Sequence, residues 1–172
     1  MNNILLQTGN DEWETPDYVF NYYNKIYDYT LDACATINNK KVNNFIPYIN
    51  KLNNSLTKKW EGVVWCNPPY SKGNQSKFID KALKSIEDND CQHVTLLIPA
   101  RTDTNNFRKL VTNKYVIIYL IIGRINFKGG KNGSTFGSMI VHINKDNESI
   151  MNKIKVIERK EIEQWQIANT NM

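Results

Sequence analysis

Cysteine is scarce in this chain and badly spaced for cross-linking. The 172 residues hold three, Cys34, Cys66 and Cys91, with no C-x-x-C pair. An odd number so widely separated argues against a disulfide framework and for a reducing compartment. Histidine is scarcer still. His93 and His142 lie far apart, show no zinc-type spacing and suit strand positions better than ligand positions. The longest apolar run, Val116–Ile122, is too short to cross a bilayer. The first residues, Met1-Asn2-Asn3-Ile4-Leu5-Leu6, have neither the basic n-region nor the apolar h-region of a secretory signal. The G-x-G-x-x-G fingerprint is also missing, which excludes a standard dinucleotide loop. Together these absences predict a cytoplasmic protein with no metal and no membrane association.

What remains is ordinary globular material. Hydrophobic residues make up 41% and charged residues 23%, a balance typical of a domain with a real core. The length suits one domain spanning 1–172 and is short for two. A formal net charge of +5 permits a polyanionic partner, although lysine-rich surfaces also serve solubility.

The most informative stretch is Asn67-Pro68-Pro69-Tyr70, which follows the apolar run Val63-Val64-Trp65-Cys66. That run is short, β-branched and aromatic, and reads as a buried strand. The tetrapeptide then lies at a strand's carboxyl end, where open α/β sheets bind ligands. An exocyclic amine is a poor nucleophile because its lone pair is delocalised. Two acceptors, one per N–H, favour the tetrahedral geometry that attack on a methyl donor requires. The Asn67 side-chain oxygen and the Pro68 carbonyl can supply them. Pro69 restricts Pro68 to an extended conformation, so this carbonyl is aimed in advance. Tyr70 offers a flat face for stacking a planar group. The bland alternative is a Pro-Pro turn with an ordinary surface aromatic.

Upstream, Thr15-Pro16-Asp17 reads as an N-cap, a first helical residue and an acid favouring the helix N-terminus. Val19, Tyr23, Ile26 and Tyr27 give the helix its apolar stripe. Such a terminus can receive a carboxylate. Tyr29-Thr30-Leu31-Asp32-Ala33-Cys34-Ala35 reads as a short strand ending in an acid, Asp32, followed by small residues that let a ligand approach the backbone. Asp32 either accepts from a ligand ammonium, orders the turn, or is merely solvated. Residues 36–61 are Asn-rich and loop-like, with one short element around Phe45–Ile49 and with Leu56 and Trp60 packing under the sheet. Next come a helix with Phe78, Ala82, Leu83 and Ile86 on one face and a strand, Val94–Ile98, ending at Pro99. Then come a helix capped by Arg101-Thr102-Asp103-Thr104, with Phe107, Leu110 and Val111, and a strand at Val116–Ile122. Gly123–Phe127 leads into a basic Gly-rich loop, Lys128–Gly133. A strand at Phe136–Ile143 and a charged helix with Ile150, Ile154 and Ile157 on one side complete the chain. This alternation predicts an α/β fold with a mainly parallel sheet, helices on both faces and an antiparallel hairpin at one edge.

Five ordered segments are similar to one family. They are Trp13-Glu14-Thr15-Pro16, Leu31–Ala35, Trp65–Tyr70, Leu97–Thr104 and Gly123–Phe127. In this order the chain resembles the phage-type, Dam-like DNA N6-adenine methyltransferases. The resemblance implies a Rossmann-like, S-adenosylmethionine-dependent methyltransferase fold without a separate target-recognition domain. It implies catalysis by Asn67, Pro68, Pro69 and Tyr70 on an adenine flipped out of DNA, with no covalent enzyme intermediate and no dedicated general base. The cofactor pocket would be lined by Trp13, Thr15, Pro16, Asp32, Ala33, Cys34 and Ala35. Acids usually hold the ribose and adenine in the wider class. Here Asn38, Asn39, Asn53 and Asn54 stand in that region, with Asn39 and Asn54 as the candidates. Tyr70 and Phe127 are the candidate stacking pair, Phe127 being as readily a core residue. Lys72, Arg101, Arg124, Lys128 and Lys131 are candidate DNA contacts, and for Arg101 and Arg124 hydrogen bonds to loop carbonyls are an equal alternative. The partner would be DNA, met as a monomer or homodimer. Two readings compete: transfer to an RNA amine or a protein glutamine amide, and a decayed binding module.

Overall fold

The computed structural model describes residues 13–47, 55–70, 73–128 and 134–170. Among the described residues seven strands form one sheet in the order β2-β1-β3-β4-β6-β5-β7. They are β1 (Leu31–Ala35), β2 (Phe45–Pro47), β3 (Gly62–Cys66), β4 (Cys91–Pro99), β5 (Val116–Ile122), β6 (Ser138–Ile143) and β7 (Ile154–Glu158). β2, β1, β3 and β4 run parallel, and β7 runs parallel to β5. β6 is antiparallel to both of its neighbours, β4 and β5. The mixed α/β sheet with helices on both faces is consistent with a Rossmann-like fold.

The period-2 alternation of the strands divides the core in two. One face carries Leu31, Val64, Cys66, Val94, Leu96, Ile98, Ile118 and Val141. Helices α2 (Asn74–Glu87) and α3 (Asn105–Thr112) cover it through Phe78, Ile79, Ala82, Ile86 and Leu110. The other face carries Trp65, Leu97, Ile121 and Ile140, covered by α1 (Asp17–Tyr27) and α4 (Arg159–Thr170) through Val19, Phe20, Tyr23 and Ile162. Trp60 is fully buried on the α2 side, its Nε1 donating to the Ser55 carbonyl at 3.1 Å.

Four expectations need correction. The antiparallel strand is not at an edge: β6 fills the slot between β4 and β5, and the edge strand is β7. The final segment is not one charged helix but a 3-10 turn (Lys145–Ser149), then β7, then α4. Its alternation of Ile154, Lys155 and Val156 suits an edge strand, exposed along most of its length, as well as it suits a helix face. The N-cap of α1 is Pro16, not Thr15. No side chain caps it, and Thr15 is buried. Ile26 belongs to no apolar stripe, being 60% exposed. By contrast Thr104 does cap α3, accepting the Phe107 N–H at 3.2 Å.

Candidate active site

Asn67 leaves the carboxyl end of β3, a strand paired on both sides, by β1 and β4. Both ends of its amide are engaged. Nδ2 donates to the Trp13 carbonyl at 2.5 Å, and Oδ1 accepts the Tyr70 hydroxyl at 2.7 Å. The same hydroxyl lies 3.3 Å from the Leu97 carbonyl at the end of β4. Burial pushes the Tyr70 phenol well above its ordinary range, so the hydroxyl stays protonated and remains a donor. A chain segment 54 residues upstream thus fixes which way the key amide points.

The Tyr70 ring does not stand free for stacking, as its place in the sequence suggested. It is 9% exposed and sits in an aromatic box. Phe127 meets it edge-to-face with centroids 6.1 Å apart, and Phe136 does so at 5.6 Å. Trp13 contacts both phenylalanines the same way, at 5.6 and 5.5 Å. Tyr70 and Phe127, the candidate stacking pair, are therefore neighbours, but a base reaches either ring only if part of the box moves. Phe136 was missed by sequence reasoning. It is the less buried of the two phenylalanines, and its one signal was an aromatic just before Gly137 at a strand entrance.

The carboxyl half of β1 lies beside this rim; the strand does not end at Asp32 as expected but runs on to Ala35, with an irregular register between the two. Asp32 is buried, and both oxygens accept from backbone: Oδ1 from the Cys34 N–H at 3.3 Å and Oδ2 from the Lys41 N–H at 3.0 Å. Burial raises its carboxyl to about 6 against these two bonds. Of the roles open to Asp32, the structure shows turn ordering. Ala33 and Ala35 are buried and Cys34 half-buried. Asn39 Oδ1 accepts the Thr36 N–H at 2.6 Å, which closes the next turn. Beyond it opens a depression of about 320 Å³ lined by Lys40, Lys41, Val42 and Asn43. The Lys41 ammonium reaches Asp17, the first residue of α1, at 2.6 Å. Lys128 pairs with the other Asp17 oxygen, and its N–H donates to the Glu14 carbonyl at 3.2 Å. Both lysines hold the Asp17 carboxyl below its usual range, Lys128 more strongly.

Of the candidate basic contacts, Arg124 is exposed and donates to the Ser134 carbonyl at 3.3 Å, the structural alternative raised above. Arg101 is half-buried in the turn after β4. Asn53, Asn54, Lys72 and Lys131 lie outside the described residues. Trp13 Nε1 is buried with no acceptor among the described residues, so a donor beside the motif is available to a ligand. That donor, the small residues at the end of β1 and the lysine-lined depression fit a polar ligand with a negative end.

Sequence reasoning also missed a polar cluster under α1. Thr95 Oγ1 lies 2.9 Å from His93 Nε2, 3.0 Å from His142 Nδ1 and 2.7 Å from the Tyr29 hydroxyl that donates to it. Burial holds the His93 imidazole down to about 4 and His142 well below its ordinary range. Both are strand residues, neutral and packed among Tyr23, Tyr27 and Tyr119. Among the described residues no group of three or more His, Cys, Asp or Glu converges as metal ligands would, and no helix is long and apolar enough to cross a membrane.

Comparison with known proteins gives this geometry a family. A DNA N-6-adenine-methyltransferase from Haemophilus phage HP1 is 34% identical over 131 residues, covering 74% of this chain and 72% of its own. A protein in the cryoEM structure of the DrdV–DNA complex is 13% identical over 71% of this chain but only 19% of its own. Its TM-score of 0.35 is too low to bear on fold or function. The family model described as DNA N-6-adenine-methyltransferase (Dam) matches residues 3–167, nearly the whole chain, and the protein belongs to that family.

Proposed function

We propose that the protein transfers a methyl group from S-adenosylmethionine to the N6 amine of adenine in DNA, using the methyltransferase form of the Rossmann-like fold. One observation carries the reading. At the rim of β3, Asn67 turns its amide nitrogen to the Trp13 carbonyl, which leaves its oxygen directed elsewhere as an acceptor. The Pro68 carbonyl, restricted by Pro69, supplies the second acceptor. Two fixed acceptors on one amine draw its nitrogen toward the geometry of attack and need little reorganisation during the reaction.

The target amine is buried in duplex DNA, so the base must be flipped out at a cost of a few kcal/mol. In the proposed complex the base amine donates to the second lone pair of Asn67 Oδ1, beside the Tyr70 hydroxyl, and the base lies against Tyr70, with Phe127 and Phe136 as flanking rings. When bound, S-adenosylmethionine supplies an electrophilic methyl on a sulfonium sulfur. The residues suited to hold it are Trp13, Thr15 and Pro16, the Asp32–Ala35 end of β1, and the lysine-lined depression beside Asn39. Asp32 acts there by shaping the backbone rather than by direct contact. Lys128, in the β5–β6 loop, is the candidate for phosphate. The test is incubation of the purified protein with label in the donor methyl, offered plasmid DNA, RNA or protein. Label in DNA adenine is expected. Label confined to RNA or protein would overturn the assignment.

A further inference from the structure

The two ends of the Asn67 amide meet different partners. Nδ2 faces the Trp13 carbonyl at 2.5 Å and Oδ1 faces the Tyr70 hydroxyl at 2.7 Å. A carbonyl has no proton to give, so only the nitrogen end of the amide satisfies it. Turning the amide over would set two acceptors against each other, leaving a part-buried acceptor unsatisfied. The Trp13 carbonyl is itself held in place. Its ring packs against Phe127 and Phe136, and the next residue is tied to Lys128 by a backbone hydrogen bond of 3.2 Å.

We propose that the Trp13 carbonyl and the Tyr70 hydroxyl form an orientation lock that makes position 67 an obligate neutral amide. The inference rests on the methyl-transfer reading and deepens it. Oδ1 is kept toward the substrate amine because the other end of the side chain must be a donor. Tyr70 is then a positioning residue through its hydroxyl, apart from any role of its ring. A carboxylate is the stronger acceptor in general, yet it fails here. In Asn67→Asp one carboxylate oxygen replaces Nδ2 against the Trp13 carbonyl, and the two repel. The protonated acid repairs this, since its O–H donates to Trp13 while its carbonyl accepts from Tyr70.

Asn67→Asp is assayed beside wild type for labelled methyl transfer to plasmid DNA, from neutral to mildly acidic pH, and the melting temperature is followed on the same samples. The lock predicts a loss of at least about tenfold at neutral pH. It predicts that the ratio of variant to wild-type activity rises as pH falls. The Trp13 carbonyl raises the new carboxyl in the folded state, so folding retains a proton that the unfolded chain has released. Stability is therefore lost as pH rises above the ordinary carboxylate value, and the melting deficit closes in acid. Tyr70→Phe keeps the ring and is expected to lower kcat about fivefold with KM for DNA nearly unchanged. An Asn67→Asp variant as active as wild type at neutral pH, with a parallel pH profile, would overturn the lock. A wild type that labels no DNA would instead refute the methyl-transfer reading. The melting data then decide the lock alone, and variant and wild-type curves that run parallel with pH would overturn it.

Discussion

Asn67→Ala removes one acceptor and deprives the Trp13 carbonyl of its donor. Turnover should fall by two orders of magnitude or more (about 3 kcal/mol), with donor affinity nearly intact, because the acceptor acts mainly in the transition state. Single-turnover kinetics and calorimetry with the donor check both halves. Tyr70→Ala opens a hole among Phe127, Phe136 and Leu97 and should destabilise the fold by about 3–5 kcal/mol, which urea titration measures. At this scale the sequence was legible where residue type alone carries the chemistry. Asn-Pro-Pro-Tyr announces two acceptors and an aromatic whatever surrounds it. The partner of Asn67 was not legible, because it is a backbone carbonyl far upstream, an atom that every residue type possesses. Thr15 misled for a related reason: hydroxyl, proline and acid in a row also fit a buried threonine followed by a proline cap.

Elements depend on places where sequence punctuation meets packing. β3 starts at Gly62, whose φ is +74°, with its Cα facing the Thr30 hydroxyl. That hydroxyl accepts the Val63 N–H at 3.0 Å. Gly62→Ala adds a methyl against Thr30 in a left-handed conformation and should destabilise by about 1–3 kcal/mol or more, again measured by urea titration. The strand β4 and its partner β6 carry the pH response. His93 and His142 stay neutral when folded, so the unfolded chain binds more protons below the ordinary histidine value of 6.5. Stability conferred by this burial is present above 6.5 and is lost as pH falls toward about 4. Asp32, raised from 3.8 to about 6, works the other way over part of that window. Two histidines outweigh one carboxyl, so the melting temperature should fall on acidification, and His93→Gln should flatten the slope. Alternating strands and the amphipathic helices α2 and α3 were plain in the hydrophobic periods. β7 was not, since five residues mixing apolar and charged, Ile-Lys-Val-Ile-Glu, at a sheet edge look like part of the charged helix that follows.

At the scale of the molecule, the sheet order sets what can meet at the rim. β3 lies between β1 and β4, so the Asn67 motif, the carboxyl half of β1 and the Leu97 carbonyl come together at adjoining strand ends. The segment ahead of α1 meets the β5–β6 loop beside them through the Glu14–Lys128 bridge. Local pattern gives strands and helices but does not say which slot a late strand fills, and for that reason β6 was expected at an edge. The net charge of +5 gives one further expectation. DNA affinity should fall with rising salt, with a log-log slope set by the number of phosphates neutralised, and Lys128→Ala should make the slope shallower by about one. The most direct test of the central claim is to sequence modified bases in plasmid from cells expressing the protein. N6-methyladenine should accumulate with the wild-type chain and be missing with Asn67→Ala. Equal N6-methyladenine with both chains, or none with either, would contradict the account.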